Sequence, residues 1–143
     1  KSAAIGKTFE EYMRPVIERL NGRFSLQGSG ALWGLTPSPS FLSSLAQLTG
    51  DLANLSGGDK RFGAKVMGGA LVNALFDRHG ILSYIGFNRT NPLIISFPLV
   101  TDQEDVLYAA KALEEVLEVP TIKLILDFVV KRSRGPKAIS ASE

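Results

Sequence analysis

Cysteine is absent from the 143 residues, which excludes disulfides, thiolate metal sites and a cysteine nucleophile, and suits a reducing compartment such as the cytoplasm. With one histidine, His79, any metal site would be built mostly from carboxylates, which argues against a zinc hydrolase. Long apolar runs are missing too. The longest, roughly Pro92–Val100 with Ser96 inside it, falls far short of the ~20 residues that cross a bilayer, so no membrane role is expected. No charged-then-apolar leader opens the chain. It begins without methionine, inside a helical pattern, as expected of a piece cut from something larger. Most of it also lacks an excess of either charge. Residues 1–118 carry 11 basic and 12 acidic side chains, and residues 119–143 carry five and two. The pI near 9.0 therefore belongs to the C-terminal segment and gives no reason to expect a nucleic-acid partner. The basic stretch Lys131 to Lys137 reads as a solubilising end.

What is present suits one globular domain with a core of its own: 45% apolar and 21% charged residues. Ile5, Phe9, Tyr12, Met13, Val16, Ile17 and Leu20 recur at helical spacing, with Pro15 expected to kink or restart the helix and Asn21-Gly22 to stop it. Arg23–Gln27 and Ala31–Thr36 read as strands joined by a Gly28-Ser29-Gly30 turn. Beyond Thr36–Ser40, the residues Phe41, Leu42, Leu45, Leu48, Leu52 and Leu55 suggest one or two modest helical segments, and 56–63 a loop. Met67, Ala70, Leu71, Ala74 and Leu75 define a helix that ends at Arg78, His79 and Gly80. Ile81–Ile85 and Leu93–Leu99 read as strands, the second apolar on both faces and so central. Thr101-Asp-Gln-Glu104 has the form of a capping box ahead of a helix ending near Glu118. Pro120 opens a last helix with Ile122, Leu126, Val129 and Val130 on one side. The expected architecture is α+β, a small three- to four-stranded sheet with helices packed on it.

Candidate chemistry is sparse. The Gly28-Ser29-Gly30 turn lacks the third glycine of a dinucleotide fingerprint and reads as a plain turn. Gly57–Gly63, with Lys60 and Arg61, reads as a surface loop rather than a phosphate cradle. His79 reads as a solvated helix cap. The carboxylates Glu10/Glu11, Asp102/Glu104/Asp105 and Glu114/Glu115 read as caps and solvated faces rather than a hydrolytic pair. Arg89, in the loop Gly86–Pro92 between two apolar strands, reads first as an ordinary exposed arginine, and as the alternative it is placed where a guanidinium could meet a ligand carboxylate bidentately. It is the one candidate site residue.

Three segments carry a likeness to a known family. Phe24-Ser-Leu-Gln-Gly-Ser-Gly-Ala-Leu-Trp-Gly-Leu35 is similar to a strand pair of the form V-R-G-x-G-L-M-x-G-I. Ala74-Leu-Phe-Asp-Arg-His-Gly-Ile-Leu82 is similar to a helix-to-strand passage L-x-x-x-G-V/I-L. Leu93-Ile-Ile-Ser-Phe-Pro-Leu-Val-Thr-Asp-Gln-Glu-Asp105 is similar to L-R-x-x-P-P-L-V-I-T-x-E-E. In this order they resemble the C-terminal small domain of class III (ornithine/ω-amino-acid type) pyridoxal-phosphate-dependent aminotransferases, over roughly residues 3–118. The resemblance implies a domain at 1–118 with an insert at about 37–62, followed by an extra helix and basic tail at 119–143.

It further implies a cytoplasmic, fold-type I parent, a homodimer, that moves an amino group between an amine or amino acid and a keto acid. None of the eight lysines matches the family's Schiff-base lysine, so the cofactor belongs to a large domain outside this chain, and the chain alone is expected to be inactive. Three positions depart from the pattern: Gln27 replaces the arginine of the glycine turn, Ile94 the carboxylate-gripping arginine, and Phe97 one proline. Arg89 lies near where some ω-amine members place a mobile carboxylate-binding arginine. The rival expectation is a non-catalytic α+β binding or regulatory module that recognises a carboxylate ligand or a protein partner.

Overall fold

The computed structural model describes residues 1–48, 62–86 and 90–133. Helix α1 (Ser2–Arg19) leads into the hairpin β1 (Phe24–Ser29) and β2 (Leu32–Pro37), then α2 (Pro39–Leu48). Helix α3 (Phe62–His79) follows, then β3 (Tyr84–Ile85), β4 (Leu93–Ser96), α4 (Gln103–Glu118) and α5 (Thr121–Ser133). The sheet is antiparallel throughout, in the order β1-β2-β4-β3, so the fold is α+β and β4 is an interior strand as its two-sided apolarity requires.

The register sorts the strand residues into two faces. Phe24, Leu26, Trp33, Leu35, Leu93, Ile95 and Ile85 share the face toward α1 and α3, and all but Leu26 and Ile85 are fully buried. Ser25, Gln27, Leu32, Gly34, Ile94 and Tyr84 share the other face, which no helix covers among the described residues. Helix α4 packs against both α1 and α3, and α5 packs on α3. Leu124 and Ile125 of α5 join the same core as Phe9, Met13, Leu71 and Val116, so this helix is integral to the domain.

Several boundaries differ from the sequence pattern for identifiable reasons. Pro15 does not restart α1, which runs unbroken from Ser2 to Arg19. Pro15 is on the exposed side, where the Glu11 carbonyl it leaves unpaired meets water, while Met13 and Val16 are held in the core. The hairpin turn is Gly30-Ala31 rather than Gly28–Gly30, because Gly28 and Ser29 pair with Trp33 and Leu32. Gly30 takes the left-handed conformation (φ +56°) that a two-residue turn demands. Strand β3 covers only the end of Ile81–Ile85, since the Ile81 amide is spent on the Leu75 carbonyl at the close of α3. Strand β4 ends at Ser96 rather than Leu99. The Phe97 amide donates to Ala31 in the hairpin turn, and Pro98 has no amide to continue the ladder.

The cap of α4 is Asp102, one residue beyond Thr101; its carboxylate accepts from the Asp105 amide at 2.9 Å. The start of α3 at Phe62 shortens the expected 56–63 loop, whose remainder, with Leu52 and Leu55, lies outside the described residues. The stop signals hold. Asn21 and Gly22 both have positive φ, and Gly80 (φ +67°) donates to the Phe76 carbonyl at 2.9 Å, closing α3.

The last helix is turned relative to the expected stripe. Leu124 and Ile125 are buried and Phe128 packs on α3; of the expected stripe Val129 packs against the core, whereas Ile122, Leu126 and Val130 are about half exposed. Both stripes are apolar, so periodicity does not choose between them. The fit of Phe128 against Gly69 does: a methyl group at Gly69 would lie 2.6 Å from the Phe128 ring.

Candidate functional site

Arg89 lies outside the described residues, as do the 49–61 stretch and the end of the basic tail from residue 134. The flanks of the Arg89 loop are described. The Gly86 amide donates to the Pro92 carbonyl at 2.8 Å, tying the loop's ends together. Asn91 is 6% exposed and takes a left-handed conformation (φ 44°). A buried polar side chain on strained backbone marks this loop base as a place where local structure gives way to something else.

Beside it runs an apolar cleft of about 680 Å³. One wall is α3, with Lys65, Gly69, Val72, Asn73 and Phe76; the opposite wall is Ile81–Ile85, and Asn91 and Phe128 complete it. The cleft follows from the fold. Helix α3 and the segment after it run back along each other, with Ile81 hydrogen-bonded to Leu75 and Ile85 seated on Gly68. The edge strand β3 is too short to close the gap. Ser83 Oγ is buried in this wall without a hydrogen-bond partner among the described residues. Sequence reasoning missed the cleft because none of its polar members stands in a recognisable motif.

The cleft does not fit pyridoxal phosphate. That cofactor needs a cradle for its phosphate and a carboxylate partner for its ring nitrogen as well as an amine. The cleft offers Lys65, but among the described residues the remaining lining includes no second cation and no carboxylate. Among the described residues no cluster of histidine and carboxylates could hold a metal ion, and no helix is long and apolar enough to cross a membrane.

The other candidates resolve as structural. The Gly30 carbonyl accepts from Trp33 Nε1 at 2.9 Å and the Ala31 amide donates to Ser2 Oγ at 3.1 Å, so the hairpin turn is engaged internally. His79 occupies the last turn of α3 as expected, but it is not a solvated cap. Its side chain is 14% exposed and its Nε2 lies 3.3 Å from Glu115 of α4. Its carbonyl accepts from the Tyr108 hydroxyl at 2.9 Å. Glu114 is likewise not solvated, with 22% of its side chain exposed, whereas Glu115 is 68% exposed and keeps the solvated face expected of it. Glu114 accepts from the Tyr12 hydroxyl and pairs with Arg19 at 2.5 Å, fastening α4 to α1. Sequence spacing misses such contacts because their partners are 95 to 102 residues apart.

The Tyr12–Glu114 bond sets a pH window for stability. The bond from Tyr12, seconded by Arg19, holds Glu114 below the usual carboxylate range, and the same bond pushes Tyr12 up to about 12. Folded Glu114 binds its proton more weakly than the unfolded chain. Its contribution is complete above the ordinary value of 4.5 and is lost as pH falls through the lower folded value. Tyr12 keeps its proton longer when folded, so its contribution is complete below pH 10.0 and is lost between there and about 12. Melting temperature should therefore fall on both sides of a broad plateau. Tyr12→Phe is expected to lower the plateau by about 1 kcal/mol and to remove the alkaline decline, as read by circular-dichroism melts across pH.

No protein-family model and no curated protein matches the chain.

Proposed function

We propose that this chain is the substrate-side small domain of a class III pyridoxal-phosphate-dependent transaminase, not active on its own. The supporting observation is where the three resembling segments sit. The 24–35 segment is the β1–β2 hairpin, and the strand that opens the 93–105 segment pairs directly with β2. The 74–82 segment ends α3 and leads to β3, which pairs with that same strand. Two of the three stretches thus supply three strands of one four-stranded sheet, and the other leads into its fourth. On this reading the parent is a cytoplasmic homodimer that exchanges an amino group between an amine or amino acid and a keto acid. The cofactor supplies the electron sink for that exchange and is held by a large domain. This chain closes over the site, and Arg89 binds a substrate carboxylate.

Two measurements on the intact parent test the proposal. The parent gene upstream of Lys1 is expected to encode a large domain with a Schiff-base lysine, and the purified parent to show a pyridoxal-phosphate absorbance band that shifts on adding amines. A parent without such a domain and without the band overturns the proposal and leaves the non-catalytic module. For Arg89 the readout is the KM of the keto-acid partner. Arg89→Ala is expected to raise it about tenfold, the loss of one bidentate charged pair; an unchanged KM removes Arg89 from the site.

A further inference from the structure

Strand β1 lies at the edge of the sheet, and its outer side is unused. The two-residue turn makes Ser29 and Leu32 a hydrogen-bonded pair, so Gln27 and Ser25 also spend their backbone groups on β2. The Arg23 carbonyl, next in that series, accepts from the Ser38 amide at 2.8 Å. Leu26 and Gly28 lie between these positions and direct their N–H and C=O groups away from the sheet. Neither has a hydrogen-bond partner on that side among the described residues. Natural sheets guard such an edge with lysine, proline, a bulge or a covering element. The stretch Phe24–Ser29 carries no charge and no proline, pairs without a bulge, and is exposed from Ser25 to Ser29 apart from the half-buried Leu26.

Outward donors and acceptors on a strand edge take another extended strand, and β1 suits a second copy of itself run antiparallel about a two-fold axis. The exposed stretch Ser25–Ser29 has its midpoint at Gln27. An axis there sets Leu26 opposite Gly28, Gln27 opposite itself and Ser25 opposite Ser29. The outward groups of Leu26 and Gly28 then bond those of the second copy's Gly28 and Leu26. Side chains agree with this register on both faces. On the α1 side the second copy's Leu26 meets a glycine, beside Trp33, whose ring Cδ2 would lie 2.9 Å from a Cβ at Gly28. A hollow of about 200 Å³, with Ile17, Leu26 and Trp33 in its lining, gives the incoming leucine apolar contacts. On the open face serine meets serine. The residue on the axis faces an identical one, so a charge there would repel itself; Gln27 is neutral, and its amide both donates and accepts.

We infer that β1 is a homodimerisation edge, two copies pairing β1 to β1 antiparallel about Gln27 into one continuous sheet. The inference concerns this chain alone and needs neither a cofactor nor a large domain, so it stands or falls separately from the transaminase proposal.

Sedimentation velocity, hydrogen exchange and single cysteines test it. The chain is expected to pass from monomer to dimer as concentration rises, with the Leu26 and Gly28 amides gaining protection in the dimer. Gln27→Lys sets two ammonium groups against each other and is expected to weaken the dimer at least about tenfold, with a thermal melt establishing that the variant is folded. Leu126→Lys, on the exposed stripe of α5, should leave the dimer unchanged. Because the chain has no cysteine of its own, Gln27→Cys is expected to oxidise to a disulfide-linked dimer, the opposed Cα atoms being about 4.5 Å apart. Ser25→Cys, about 13 Å from its counterpart, should remain a thiol. A monomer up to about 1 mM, an undiminished affinity in Gln27→Lys, or crosslinking of Ser25→Cys as readily as Gln27→Cys each overturns the inference. So does a dimer that Leu126→Lys dissolves.

Discussion

Phe9→Ala is expected to lower the unfolding free energy by about 4 kcal/mol, the range for truncating a buried phenylalanine, which is a large share of what a domain this size holds in reserve. Phe9 has no exposed surface. Its ring centroid lies 5.6 Å from that of Trp33 on β2 and 5.2 Å, near edge-on, from that of Phe97 just past β4. One side chain of α1 therefore touches β2 and the residue that follows β4. Removing it forfeits the transfer of the ring from water and opens a void beside Trp33 and Phe97. Trp33 is tied by its Nε1 to the Gly30 carbonyl, and Leu35 is fully buried in a paired strand. The contrasting substitution is Leu126→Ala. Leu126 belongs to an apolar stripe of equal regularity but is 54% exposed, and its loss should stay within about 0.5 kcal/mol. Urea unfolding followed by tryptophan fluorescence reads both. A Phe9→Ala loss no larger than that of Leu126→Ala would mean that α1 is not the helix that closes the sheet.

That pair of leucine and phenylalanine also shows what hydrophobic spacing conveys. The α1 stripe through Ile5, Phe9, Met13 and Val16 is legible because its opposite face is charged, and burial follows it residue by residue. The central place of β4 is legible because both its faces are apolar. Helix α5 defeats the same argument. It carries two apolar stripes, and its orientation is decided by the absence of a side chain at Gly69, on a different helix. The capping residue of α4 is ambiguous for a related reason: Thr101 and Asp102 are adjacent good acceptors, and the Thr101 amide is already engaged with Pro98 in the preceding turn. The candidate site was less legible still. The cleft is a product of two walls meeting, Ile81–Ile85 against α3, and its polar members acquire meaning only from that meeting. Lys65 on α3, Ser83 and Asn91 have no mutual spacing that a sequence pattern could flag.

Gly6→Ala should destabilise the domain by about 2–3 kcal/mol, although helix propensity by itself argues the opposite. Alanine is favoured over glycine inside a helix by about 1 kcal/mol, and Gly6 sits in the second turn of α1. What overrides propensity is the hairpin turn. A methyl group built at Gly6 would lie 2.6 Å from the Gly30 oxygen, 2.7 Å from its nitrogen and 2.8 Å from its Cα. All three are backbone atoms, so no rotamer change relieves the contact. The turn cannot retreat easily either: Gly30 holds a left-handed conformation, the next amide donates to Ser2 Oγ, and its carbonyl is bonded to Trp33. Helix α1 must instead lift from the hairpin, and Phe9, one turn farther on, moves with it. Overpacking of this kind costs about 1–3 kcal/mol and at times more, which exceeds the propensity gain. Gly63→Ala provides the opposite sign. Gly63 lies in the first turn of α3, where among the described residues the nearest atom to an added methyl is Leu42 Cδ2 at 4.0 Å, so alanine there should stabilise by about 0.5 kcal/mol. Denaturant midpoints that move in opposite directions for the two substitutions are the expected result. A stabilised Gly6→Ala variant would show that the first turns of α1 do not rest on the β1–β2 turn, and with it the close approach that positions Phe9 would be lost as an explanation of the core.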